Sequence, residues 1–227
     1  MSRNLLKIVL CAALGACAWP ALAVGPLDGE ATVGWWKNDL DATVPAEIGE
    51  GSSDDASAAA LRAAVYIESF GVRASRTRSR VSGGDGVSYT SFDVMWRPVH
   101  VTRNNFFALG VGYERVGIDG AGDPTSSGVR LAAEGRAALG GLFYVYGEGA
   151  YFPRLGSFDL ADSGLRMKDP SGHEVEVGIA IKPAPFMWLR VGYRDARISA
   201  KTIAEGVDYG DTTLRSKGPI VGVGVSF

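Results

Sequence analysis

The sequence predicts an all-β protein: a single closed antiparallel transmembrane β-barrel that follows an N-terminal signal peptide. Three observations predict this fold class. Apolar and polar residues alternate with period two in segments of about ten residues, and short turns alternate with long polar connections. No segment after the N-terminal region has the run of roughly 18 apolar residues that a membrane helix requires. Lipid offers the backbone no hydrogen-bond partners, so a membrane chain without helices must close into a barrel.

The first residues have the layout of a secretory signal peptide. Two basic residues come before the apolar stretch 8–18, and Ala21 and Ala23 are small residues at the two positions that a signal peptidase recognises. The apolar stretch is too short to anchor the chain in a bilayer. We therefore predict that residues 1–23 form a signal peptide cleaved after Ala23, and that 24–227 form the barrel domain.

The cysteines and the charge balance exclude some kinds of site and partner. Both cysteines, Cys11 and Cys17, lie in the predicted signal peptide, so the mature chain has no disulfide and no thiolate metal site. Cys17 ends a lipobox-like sequence that starts at Leu14, and its lipidation is the alternative to cleavage after Ala23. Without the signal peptide, 21 basic residues face 25 acidic ones. This balance argues against a nucleic-acid partner.

Strand segments follow one another along the mature chain, and each alternates an apolar residue with a small or charged one. In the segment 87–97, for example, Phe92, Val94 and Trp96 alternate with polar or inner-face residues such as Asp93. We expect the apolar members to face lipid and the others to face the lumen. The predicted strands are 29–37, 57–68, 70–81, 87–97, 105–116, 127–138, 142–152, 173–182, 186–197 and 218–227.

Connections of two kinds separate these strands. Residues 139–142 and 182–185 form tight turns, whereas 117–126, 153–172 and 198–217 are longer and rich in Gly, Asp and Ser. Short turns at one end and long loops at the other are typical of outer-membrane barrels, with the turns in the periplasm and the loops outside the cell.

The strand count follows from direction. If the strand 218–227 ends at the periplasm, counting backwards gives seven strands from residue 87 onward. Both termini of a single-chain bacterial barrel are periplasmic, so the total must be even. Three strands before residue 87 give ten. Eight strands, with 57–70 as one strand and 29–37 outside the barrel, is the alternative; the alanines of 55–66 would also suit a helix.

The last strand carries a further signal. Val223, Val225 and Phe227 lie on one face, and the aromatic residue is the last of the sequence. This arrangement resembles the C-terminal signal by which Gram-negative barrels are recognised for assembly. With the alternation and the turn asymmetry, the chain resembles the small Gram-negative outer-membrane β-barrel proteins, in the broad company of OmpA-like barrels. The resemblance implies an outer-membrane location, contact with lipid and lipopolysaccharide, and the barrel-assembly machinery as a partner during biogenesis.

Charged residues recur on the predicted lumen face of several strands. An eight- to ten-stranded barrel has an interior just wide enough for side chains or one small ligand. Because unpaired buried charge is costly, the complementary charges predict a cross-linked polar plug; a charged pathway for small solutes is the alternative. The predicted lumen network consists of Arg130, Glu134, Arg136, Glu148, Glu174, Glu176, Arg190 and Arg194.

No residue pattern predicts an active site, a cofactor or a metal site. His173 starts a predicted strand near Asp169 and is the nearest candidate for a general base, whereas His100 falls in a predicted turn. Asp54 and Asp55 do not reproduce the paired aspartates of the omptin proteases, and their loop lacks calcium-ligand spacing. The sequence favours a non-enzymatic barrel with a structural or surface-contact role. A narrow channel or small-solute binder and an envelope enzyme acting on lipopolysaccharide or peptide are the alternatives.

Overall fold

The computed structural model describes most of the predicted barrel domain. The predicted signal peptide, its cleavage site after Ala23 and the lipidation candidate Cys17 lie outside the described residues. The described residues are 27–46, 52–81, 86–119, 124–160, 165–204 and 206–227.

These residues form eleven antiparallel strands, ten of which close a barrel. Each strand pairs with its neighbour in sequence, except that β7 pairs with β9 and the short β8 pairs with the start of β9 outside the closed ring. The strands are β1 (Leu27–Thr43), β2 (Ser52–Ile67), β3 (Phe70–Val81), β4 (Gly86–Thr102), β5 (Asn105–Asp119), β6 (Thr125–Ala138), β7 (Phe143–Phe152), β8 (Phe158–Leu160), β9 (Leu165–Ala184), β10 (Met187–Ala204) and β11 (Val207–Ser226).

The barrel is closed where β1 meets β11. Pairing runs from Glu30 opposite Ser226 to Thr43 opposite Thr213. At its end, Gly29 and Phe227 exchange two backbone hydrogen bonds, each with a nitrogen–oxygen distance of 3.0 Å. The predicted closed ten-stranded barrel is therefore confirmed. The eight-stranded alternative is wrong, because β1 pairs with both of its neighbours, and the helix considered for 55–66 is strand β2.

Connection lengths differ between the two ends of the barrel. Two-residue turns follow β2, β4 and β9, and a four-residue turn follows β6, all at the end where Phe227 lies. We call this the turn end and the opposite one the loop end. Strand β4 runs to Thr102, so that His100 lies on a strand and not in the turn predicted for it. At the loop end, the connections after β1, β5 and β7 are longer, the one after β3 has four residues and the one after β10 has two.

Two of the three predicted long loops are largely strand. The segment 198–217 belongs to β10 and β11, which continue to a tight turn at Gly206, and β9 begins at Leu165 within the segment 153–172. The sequence contains no strand signal here because pairs of hydroxyl side chains replace the apolar alternation: Thr202 and Thr212, for example, hydrogen bond at 2.6 Å. Similarly, β9 runs to Ala184, which shortens the predicted 182–185 turn.

The polarity of the two barrel faces reverses along the strands. In the half of β4 near the turn end, Phe92 and Val94 point outward and are exposed, whereas Asp93 is buried inside. Nearer the loop end, Ser88 points outward and Tyr89 is buried inside. The expectation that apolar residues face lipid all along the strands is therefore wrong for the loop end, where the barrel has the apolar interior and polar exterior of a soluble protein.

Inward-facing aromatic rings pack on glycines of the adjacent strand. Trp188 on β10 lies over Gly224 on β11, and a Cβ added to that glycine would be 2.2 Å from the indole Cζ2. Tyr146 lies over Gly178 and Gly192 in the same way. The glycines make room for large rings in a narrow interior.

Gly224→Val should lower the free energy of unfolding by about 1–3 kcal/mol, the usual cost of overpacking, because the new side chain displaces Trp188. The temperature at which the folded band converts to the unfolded band in gel electrophoresis measures this effect. Gly141→Ala is the control, since a Cβ at Gly141 has open space around it. Equal conversion temperatures for the two variants would contradict the packing described for Trp188.

Candidate functional site

The middle of the lumen is filled by interlocking charged side chains, which we call the central network. They come from nine of the ten barrel strands and, apart from the half-buried Arg62, Glu148 and Glu174, they are buried. Six arginines meet seven carboxylates, so the charges nearly balance. The members are Glu30, Arg62, Arg73, Asp93, Glu114, Arg130, Glu134, Arg136, Glu148, Glu174, Glu176, Arg190 and Arg194.

One part of the central network is a chain of bonds across the lumen. Arg136 on β6 binds both carboxylate oxygens of Glu30 on β1, at 2.6 and 2.7 Å, and also binds Glu134 at 2.7 Å. Arg73 then joins Glu134, at 3.2 Å, to Asp93, at 2.8 Å. Strands β1 and β6 are five strands apart in either direction around the ring. The Glu30–Arg136 pair therefore braces opposite walls of the barrel.

The second part of the central network joins Arg130 on β6 to charged residues of β7, β9 and β10. Arg130 bridges Asp93, at 3.2 Å, to Glu114 and Glu174. Arg194 also binds Glu174, at 2.6 Å. Each of these guanidinium groups is shared between strands, as expected where buried charges must be paired to be tolerated.

The remaining pairs complete this part. Glu148 binds Arg62 and, at 3.4 Å, Arg190. Arg190 is also 3.3 Å from Glu176, which accepts a hydrogen bond from the Tyr146 hydroxyl at 3.0 Å. The gap between these side chains has room for about one water molecule.

An apolar layer closes the lumen between the central network and the loop end. Trp36 is fully buried in it and donates a hydrogen bond from its indole nitrogen to the Gly218 carbonyl at 3.1 Å. The Arg194 guanidinium lies 5.0 Å from the Trp36 ring, where the two layers meet. This loop-end layer contains Trp36, Ala58, Ala60, Val87, Tyr89, Val116, Phe152, Leu155, Phe158, Ala196, Ile198 and Ile220.

Aromatic side chains close the lumen on the turn side of the network. The Arg97 guanidinium is 3.3 Å from the centre of the Tyr66 ring and 4.1 Å from that of Phe106, and it binds Asp28 at 2.8 Å. Asp28 also binds Arg103 at 2.6 Å. Together with Met95, Tyr144 and Trp188, these side chains form the turn-end layer.

The structure places all eight predicted lumen residues in the central network. It adds Glu30, Arg62, Arg73, Asp93 and Glu114, which were not in the predicted set. For Arg73 the missing signal is parity: it shares the inward, odd-numbered face of β3 with Thr77, whereas Arg76 and Arg78 point outward. The C-terminal residues Val223 and Phe227 are exposed and Val225 is half-buried, all at the seam with β1.

The histidines and aspartates considered for catalysis are not brought together. His173 is exposed on the outer face of β9, opposite Tyr151 and Arg197, and not at a strand start as predicted. Asp169 instead binds the exposed Arg154 at 2.6 Å. Asp55 is exposed on β2, and the side chain of Asp54 is outside the described residues.

Among the side chains that the structure describes, no group of three or more His, Cys, Asp or Glu is placed to hold a metal ion. The described part of the chain also contains no helix of the length and apolarity needed to cross a membrane.

Comparison with known proteins finds similarity only at the level of the fold. The chain matches no protein-family model and no curated protein. It is similar to the solved structure of the outer-membrane protease OmpT from Escherichia coli, with 11% identity and a TM-score of 0.50 over 92% of this chain and 99% of that one. Neisserial surface protein A is also matched, with 14% identity and a TM-score of 0.41 over 89% and 98% of the two chains. The described barrel therefore has the fold of outer-membrane barrels.

Proposed function

We propose that this protein is a non-enzymatic outer-membrane β-barrel whose lumen is a plug, and that its role in the cell envelope is structural or a surface contact. The observation that carries the proposal is the filled interior: a central network of paired charges lies between two apolar layers. A barrel built in this way presents its outer wall and loops, and not its lumen, to other molecules.

The apolar outer wall of the barrel supports a location in the membrane. Exposed apolar side chains form a continuous belt on successive strands, such as Trp35, Phe92, Val111, Val177 and Val191. A soluble monomer rarely exposes so large an apolar surface, whereas a barrel in lipid requires it. The short turns at the turn end support an orientation with that end in the periplasm and the loop end outside the cell.

The energetics of the interior favour a plug over a pathway. A permeating solute would have to separate pairs such as Arg136 and Glu30, and leave buried charges without partners. Breaking one buried pair costs about 3–5 kcal/mol. The solute would also have to pass Trp36 and Tyr66, which are buried in the apolar layers on either side of the central network. The side chains of the central network and the two apolar layers are therefore better suited to keeping the lumen closed than to passing a solute.

The purified barrel should give no channel steps in planar lipid bilayers, because the gap in the central network holds about one water molecule. A heat-modifiable band in gel electrophoresis and a β-type circular dichroism spectrum establish that the sample is folded, and a porin serves as the positive control.

Reproducible channel steps from the folded protein would contradict the plug and support the narrow-channel alternative. Turnover of lipopolysaccharide or peptide that is lost in His173→Ala would support the enzyme alternative instead, since His173 is the exposed histidine nearest in the sequence to acidic residues.

A further inference from the structure

The seam between β1 and β11 is the joint of the barrel whose two strands do not follow each other along the chain. Its backbone ladder begins at the turn end, where Gly29 and Phe227 exchange two hydrogen bonds. Hydrogen-bonded pairs alternate along an antiparallel ladder, so the odd-numbered amides of both strands point across the seam. The even-numbered amides point to the other neighbours: that of Ser226, for example, donates to the Phe186 carbonyl at 2.8 Å.

A proline interrupts the seam ladder near its middle. Pro219 has no amide hydrogen, and by the alternation its missing donor would point at Lys37. Along the described residues of the seam, pairing stops at Trp36 and resumes in the same register at Asp39. The ladder between β10 and β11 passes Pro219 without losing a pair. The seam thus has a turn-end half, 30–36 against 220–226, and a loop-end half, 39–43 against 213–217.

The plug does not hold β11 in the turn-end half of the seam. Among the side chains that the structure describes, none from β11 belongs to the central network, because the inward residues at that level are Gly222 and Gly224. The other half has a tie of its own on the outer wall, since Lys217 binds Asp41 across the seam at 3.3 Å. Between the halves, the Trp36 indole donates its hydrogen bond across the seam.

Arg103 ties the free end of the turn-end half from across the barrel mouth. It lies in the turn between β4 and β5, and β4 is three strands away from β1. Its guanidinium binds Asp28 of β1 at 2.6 Å and donates a hydrogen bond to the main-chain oxygen of Phe227 at 3.0 Å. The second oxygen of Asp28 binds the buried Arg97 at 2.8 Å. One side chain of the opposite wall therefore holds both strands of the seam.

We infer that the turn-end half of the seam opens and closes as a unit, and that Arg103 is the latch that holds it closed. Opening begins at Phe227 and stops at Trp36, where the indole bond and the loop-end half keep the strands together. The central network stays intact because β11 contributes no described side chain to it, so the inference goes beyond the proposed plug and does not depend on it. The open strands offer unpaired backbone groups to water or to another extended strand.

Residue-resolved hydrogen exchange of the folded barrel in detergent micelles tests the latch, because local opening exposes only the amides that point across the seam. In Arg103→Gln, the amides of Ala31, Val33 and Val223 should exchange about tenfold faster, as expected when a charge-assisted hydrogen bond is lost. The amide of Thr32 points at β2 and should keep its rate.

Two further variants separate the latch from general stability. Arg215→Gln removes the same charge and breaks an ion pair with Asp195, but this pair lies within the β10–β11 hairpin, so the seam amides should keep their rates. Pro219→Ala restores the missing donor and should slow the exchange of the Trp35 amide severalfold.

Unchanged exchange at Ala31 and Val223 in Arg103→Gln would overturn the inference. Equal acceleration at Ala31 and Thr32 would also overturn it, because the whole wall and not the seam would then be opening. Faster exchange at Ala31 in Arg215→Gln, to the same extent as in Arg103→Gln, would show that the loss of charge and not the latch is responsible.

Discussion

Replacing Arg136 with methionine should lower the free energy of unfolding by about 3–5 kcal/mol, the cost of removing one partner from a buried ion pair. Arg136 binds Glu30 through two hydrogen bonds and Glu134 through another two. Methionine is also unbranched but is shorter and has no charge, so both carboxylates would lose their shared cation inside the barrel. Urea titration of the barrel in lipid vesicles, followed by tryptophan fluorescence, measures the change.

Two comparisons show how much of this loss of stability is due to the charge of Arg136. Arg154→Met makes the same substitution in an exposed ion pair with Asp169, and should change the free energy of unfolding by less than about 1 kcal/mol. Adding Glu30→Gln to Arg136→Met should restore part of the lost stability, because one of the stranded charges is then neutral. A loss no larger for Arg136→Met than for Arg154→Met would show that the brace between β1 and β6 contributes little.

The second large effect concerns a column of side chains along one wall. Trp36, Arg194, Arg190 and Trp188 lie at successive levels from the loop end to the turn end. The neighbouring strand β11 presents Gly222 and Gly224 beside the last two. Replacing the tryptophans with alanine and the arginines with serine should open a water-filled groove along β11. We expect channel steps in planar bilayers, and a preference for cations because Glu148, Glu174 and Glu176 lose arginine partners.

Partial versions of this variant test the layered plug. Arg190→Ser/Arg194→Ser alone should stay closed, because Trp36 and Trp188 still block the ends; Trp36→Ala/Trp188→Ala should stay closed because the central network remains. Adding Glu176→Gln to the fourfold variant removes one stranded carboxylate and protects the measurement against loss of folding. A folded fourfold variant without conductance, or steps from either partial variant, would contradict the placement of the plug in these layers.

Period-two alternation predicted the ten barrel strands because lipid outside and charge inside impose opposite requirements on neighbouring residues. That contrast fades near the loop end, where both faces meet water or packed side chains. The strand ends there, such as Ser199 to Ala204 in β10, were therefore predicted as loop. The polarity reversal at Tyr89 was missed for the same reason, since an apolar residue alone does not indicate which side of the wall it occupies.

Eight of the thirteen members of the central network were in the predicted lumen set, but the way in which they pair was not predicted. Arg130 and Glu134 belong inside by parity along a single strand, which sequence spacing reveals. The pairing of Arg136 with Glu30 joins strands on opposite sides of the ring, and it depends on the diameter of the closed barrel. Arg62 and Glu30 were missed because each lies mostly among small and apolar residues on the inward face of its strand, which gives little pattern to recognise.

The reversal of polarity along β4 fixes how deeply the protein can sit in a bilayer. Moving the barrel outward by one pair of residues would expose Phe92 to water, and moving it inward would carry Thr90 and Arg76 into hydrocarbon, where arginine is costly. Vertical displacement is thus resisted in both directions. The barrel holds its loop end at a constant height above the membrane surface, and this height sets how far any contact made by the loops can reach.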